Sequence, residues 1–111
     1  MAYDVELADR IRLLIAGEPG VTEQKMFGGL AFLVGGNMAV AASSQGGLMV
    51  RVDPAQSESL LAKTSAQMVA MRGRKMPGWL RVDVEDLRTA AQLNAWIDRG
   101  TSFARSLQPK R

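Results

Sequence analysis

Between Lys25 and Val40 the chain reads Lys-Met-Phe-Gly-Gly-Leu-Ala-Phe-Leu-Val-Gly-Gly-Asn-Met-Ala-Val, an apolar stretch broken by glycine pairs at 28–29 and 35–36. The segments between the breaks are too short for helices, so the stretch predicts strand, turn, strand. A tight antiparallel hairpin needs positive φ angles at its turn, which Gly35-Gly36 or Gly36-Asn37 supplies. Ala31-Phe32-Leu33-Val34 is apolar at consecutive positions, so both faces of this strand need cover. At least one strand must therefore be central, with helices packed on the sheet.

The rest of the chain supplies that cover. Over residues 4–16, Leu7, Ala8, Ile11, Leu14 and Ile15 recur at helical spacing. Gly17 and Pro19-Gly20 stop this helix. Strands are expected at 22–28, 29–34, 37–43 and 47–52, forming an antiparallel meander. Asp53 as cap and Pro54 at the first helical position open a second helix ending near Lys63, with Leu60 and Leu61 inward. Residues 66–71 and 79–82 read as two further strands joined by a loop at 72–78. A final helix is expected from Asp83 as its cap, through Leu87, Ala90, Ala91, Asn94, Ile97, Phe103, Ala104 and Leu107. Gly100 within it predicts a bend or a division into two stacked helices, and the tail from Gln108 is expected to fray. The expected fold class is α+β: helix, antiparallel β-meander, helix, β-hairpin and a C-terminal helix, packed on one sheet. Its 111 residues fit one domain, 1–111.

Composition removes several kinds of chemistry. The chain has no Cys, which excludes disulfides and thiolate metal sites, and no His. A Ser-His-Asp or Cys-His mechanism is therefore impossible within one chain, and the usual general base is missing. The expectation is no enzyme, no catalytic residue, no metal and no cofactor. No apolar run approaches the roughly 20 residues that span a bilayer. The N-terminus also lacks the basic start and apolar core of a signal peptide. A cytoplasmic protein without membrane contact is expected.

Net charge is only +3, but it is uneven. Residues 72–81 hold Arg72, Arg74, Lys75 and Arg81 with no acid, and the last thirteen residues hold four more cations. Arg72-Gly73-Arg74-Lys75 is the best candidate for nucleic-acid or anion binding, because a glycine-flanked basic loop can lay guanidinium groups along phosphates. Trp79 nearby offers a stacking surface for a base. The simpler reading is a solvated hairpin tip, since one turn makes few phosphate contacts. Gly28-Gly29 and Gly35-Gly36 match neither dinucleotide nor P-loop spacing and read as turns and a strand bend. Ser44 in Ala-Ser-Ser-Gln-Gly echoes a nucleophile elbow only faintly and has no His to activate it. Most of the seven methionines fall in strands, either as core or as an adaptable groove for a partner peptide or second subunit.

Several blocks together resemble one family. They are Lys25-Met26-Phe27-Gly28-Gly29-Leu30-Ala31-Phe32, Gly36-Asn37-Met38-Ala39, Leu48-Met49-Val50-Arg51-Val52 and Gly73-Arg74-Lys75-Met76-Pro77-Gly78-Trp79-Leu80-Arg81-Val82. Trp96-Ile97-Asp98-Arg99-Gly100 and Phe103-Ala104-Arg105-Ser106-Leu107 follow in order. In this order the chain resembles the N-terminal domain of the TfoX (Sxy) bacterial competence regulators. Met26, Phe27, Gly28, Gly29 and Gly78 belong to the shared motif, where they are expected to be structural. The resemblance implies an α+β domain with no catalytic residues to carry over. It also implies a stand-alone domain without the C-terminal domain of full-length regulators. The function it implies is a non-enzymatic regulatory or adaptor module of transcription regulation, acting through protein–protein contacts. Its partners are expected to be another protein or a second copy of the chain, the latter through an open edge strand. The alternative is direct DNA or RNA binding through 72–81.

Overall fold

Hairpins form where the glycine pairs fall. In the computed structural model, which describes residues 3–26, 28–71 and 73–108, β1 (Val21–Met26), β2 (Gly29–Val34) and β3 (Asn37–Ala42) follow one another antiparallel. Gly35 and Gly36 take φ angles of 59° and 83° between the paired residues Val34 and Asn37. Both central turn positions are left-handed, as a two-residue hairpin with the sheet's twist requires. Gly28 (φ 78°) turns β1 into β2, while Phe27 beside it lies outside the described residues.

The sheet is completed by β4 (Leu48–Arg51), β5 (Gln67–Met71) and β6 (Arg74–Val82). Its strand order is β1-β2-β3-β4-β6-β5, antiparallel throughout. All six residues of both β2 and β3 are buried, which makes them the central strands expected from their two-sided apolar pattern. The edges are β1 and β5.

Three helices lie on one face. α1 (Val5–Ile15) begins where Asp4 Oδ1 accepts the Leu7 N–H at 3.0 Å. Asp53 accepts from Ala55 N at 2.9 Å and caps a short 3₁₀ turn, Pro54–Gln56, that leads into α2 (Ser57–Lys63). α3 (Ala90–Ser106) crosses β3 and β4 and contacts α1. Leu7, Ile11 and Ile15 of α1 and Leu93, Trp96 and Ile97 of α3 pack on Leu30, Phe32, Val40, Leu48, Val50, Leu80 and Val82. Leu60 and Leu61 border this core, as expected.

Four expectations are corrected. Residues 74–78 belong to β6 and are not loop, so among the described residues only Gly73 of the expected loop lies outside a strand. Pro77 and Gly78 do not end the strand because they sit where the β5–β6 register slips between Met68 and Ala70. Proline's missing N–H costs little at such an irregularity. Gly78 takes φ 86°, donates its N–H to the buried Ser57 Oγ at 2.7 Å and accepts from Val52 N at 2.7 Å.

Asp83 caps no helix. It precedes a 3₁₀ turn, Val84–Leu87, and α3 starts at Ala90 from a Thr89/Gln92 capping box. Nor does Gly100 break α3, which runs unbroken through it. Gly100 faces the backbone of Ala39, where a Cβ would strike the Ala39 carbonyl. Ala39 is the extra residue where the β2–β3 register shifts, since Phe32 pairs with Val40 and Leu33 with Met38. The helix needs glycine there to sit close on this bulge. Finally, Gln108 is held, its carbonyl accepting from buried Asn37 Nδ2 at 2.9 Å. The rest of the predicted tail, 109–111, lies outside the described residues.

Candidate interaction surface on the helix-free face

Strand periodicity places two sets of side chains on opposite faces. Paired residues share a face, so the register defines a row Ala31, Ala41, Met49, Arg81, Gln67 across β2, β3, β4, β6 and β5. This row points away from the helices. With it go Leu33 and Met38, and at the other end of the face the pair Arg51 and Trp79. The result is a second, smaller apolar cluster of Ala31, Leu33, Met38 and Ala41, closed by half-buried Met26, Met49 and Trp79. Among the described residues this cluster is made by side chains of the sheet itself.

Its electrostatics are one-sided. Glu23 is the sole acid within the six strands. It sits on the helix side, in register with Phe32, and is bound by Arg12 of α1 through Nε at 2.7 Å and Nη2 at 2.8 Å. Among the described strand residues, the helix-free face carries Arg51 and Arg81 and no carboxylate. Arg51 lies at the rim of this face: its guanidinium is 5.1 Å from the Trp79 ring centre and 5.5 Å from that of Phe103 on α3. Such contacts suit a cation that has no anion to pair with. Arg81 instead donates to Gln45, through Nη1 to Oε1 at 2.8 Å and through Nη2 to the carbonyl at 3.0 Å.

The basic candidates read from the sequence do not form one patch. Arg74 and Lys75 are exposed near the hairpin tip. Arg72 lies outside the described residues. Arg81 is seven residues further along β6, up to roughly 23 Å away in an extended strand, and faces the groove beside Met49. Trp79 is half-buried against Arg51, so its ring is already engaged by a cation. Of the motif residues, Gly28 forms a turn. Gly29 lies where a Cβ would strike the Ala42 carbonyl, and Gly78 where one would come 2.8 Å from the Val52 carbonyl. Met26 is different, because it lines the groove on the helix-free face.

Sequence reasoning missed Arg51 and Gln45 as members of this surface, while Met49 is one of the strand methionines read as either core or groove. The alternation Leu48-Met49-Val50-Arg51 carried the signal for Arg51, with Leu48 and Val50 in the core. Nothing local marked Gln45, which sits in a turn and reaches Arg81 across 36 positions of sequence.

Residues 14–104 match the TfoX N-terminal domain family, a span that contains the whole sheet, α2 and nearly all of α3. The chain belongs to the TfoX N-terminal domain family. It is thereby related to competence regulators. No curated protein matches it. The motif glycines of this TfoX domain are explained by turns and close backbone approaches. Among the described residues, no helix is long and apolar enough to cross a membrane and no group of acids is placed to hold a metal ion.

Proposed function

We propose that this TfoX domain is a non-enzymatic regulatory adaptor that binds a partner protein on the helix-free face of its sheet. One observation carries the reading: among the described strand residues, that face joins half-buried Met26, Met49 and Trp79 to two arginines without a single acid. Methionine and tryptophan adapt to and anchor a partner, and arginine is enriched at such interfaces. The uncompensated positive charge selects a partner surface that is acidic around an apolar centre. The free edges β1 and β5 flank the face and allow a partner strand, or a second copy, to extend the sheet.

Recovery of a complex from the native host tests this. Met49→Arg should reduce it at least tenfold, while Leu13→Arg, on the helical side at a position 80% exposed, should leave it unchanged. Equal recovery with both variants would remove the face from the account. Direct nucleic-acid binding by exposed Arg74 and Lys75 is the second reading. Its mark is affinity for duplex DNA or RNA that falls steeply with salt and drops on Arg74→Ala.

A further inference from the structure

Arg81 has a charge that nothing around it answers. Directly across from it stand Met49 on β4 and Gln67 on β5. With Met26 and Met38 they line a groove of about 220 Å³. Both of its hydrogen bonds go to neutral acceptors of Gln45, and Nε is buried with no hydrogen-bond partner. No lining residue is Asp or Glu, and Arg81 forms no ion pair among the described residues. A buried N–H of a cation left without an acceptor is costly, so a retained one points to something that satisfies it.

We propose that this groove binds a small organic monoanion: a carboxylate on a short aliphatic body, without an ammonium group. A single cation calls for a single negative charge. The planar guanidinium offers two parallel N–H groups to the two oxygens of a carboxylate. Methionine walls accept a flexible aliphatic body, and the lack of any acid leaves no place for an ammonium. The volume equals roughly seven water volumes, below the ~300–1,000 Å³ of drug-sized pockets. Access to Nε requires the side chains over it to move, which methionine does at small cost because three of its bonds rotate. The site goes beyond partner binding, since it would let a small acid act on the face that the partner uses.

Methyl-labelled methionine NMR tests the site, with octanoate as the probe. Octanoate should give saturable shifts of the Met26 and Met49 methyls, with affinity falling as salt rises. Octanamide, uncharged and of the same length, should bind at least tenfold more weakly, and so should octylamine. Arg81→Gln should abolish the difference between octanoate and octanamide, and Arg74→Gln should preserve it. If Arg81→Gln fails to fold, the two probes on the unaltered protein still decide the matter. Equal binding of octanoate and octanamide, or no saturable shift, would overturn the proposal. Tighter binding of acetyl-Leu-Glu-Leu-amide than of octanoate at the same methyls would also overturn it, in favour of an acidic side chain of a protein partner. Loss of octanoate binding leaves partner recovery untouched, so the two readings fail separately.

Discussion

At Gly100 the usual rule for helices reverses sign. Replacing a mid-helix glycine by alanine normally stabilises by about 0.5–1 kcal/mol. Here the added Cβ would meet the Ala39 carbonyl and Val40 Cγ1. Gly100→Ala is therefore expected to cost roughly 1–3 kcal/mol, as overpacking does, read as a lower urea midpoint; a raised midpoint would show that α3 can lift off the bulge freely. Phe32 is fully buried at the centre of the core, and Phe32→Ala should cost roughly 3–5 kcal/mol in the same measurement. Glu23 gives the fold a pH dependence. The Arg12 hydrogen bond, aided by its charge and opposed by burial, holds the Glu23 carboxyl below its ordinary value of 4.5. Because the folded value is the lower one, the stabilisation is present above about pH 4.5 and is lost as pH falls through the folded value. Glu23→Gln should flatten the decline in urea midpoint on acidification, and high salt should shrink the difference, since both partners are exposed.

At the scale of elements, the capping box of α3 is the clearest local device. Thr89→Ala should cost about 1 kcal/mol in urea unfolding without altering partner recovery, whereas Asp83→Ala should cost little, because Asp83 makes no side-chain cap. The contrast shows what was legible in the sequence. Thr89-x-x-Gln92 is a local signal and was available, but the acids at 83–86 formed a stronger-looking helix start and masked it. The β2–β3 hairpin was legible because its apolar run and glycine turn are both local. The nature of Gly100 was not, since a helix-breaking glycine and a close-packing glycine look alike until Ala39 is known to bulge beneath it. Pro77-Gly78 misled in the same way: the pair marks a loop unless a register slip in a neighbouring strand absorbs it, and that slip involves Met68 and Ala70 on another element. The basic candidates at 74, 75 and 81 are close in sequence, and only a loop would gather them into one patch. As a strand, β6 separates Arg74 and Lys75 from Arg81.

Across the whole molecule, charge divides by face. The helices and their connections hold every acid except Glu23, and Glu23 itself turns toward α1. The other face of the sheet holds methionine, tryptophan and arginine. A domain built this way has one apolar, cationic surface and a helical side that carries the acids. The final test is site-specific photocrosslinking in the native host, with a benzophenone side chain placed at Met49, at Lys75 or at Leu13. The account predicts that position 49 captures a specific protein partner and that positions 75 and 13 do not. Capture from position 13 alone, or of nucleic acid from position 75 alone, would contradict it.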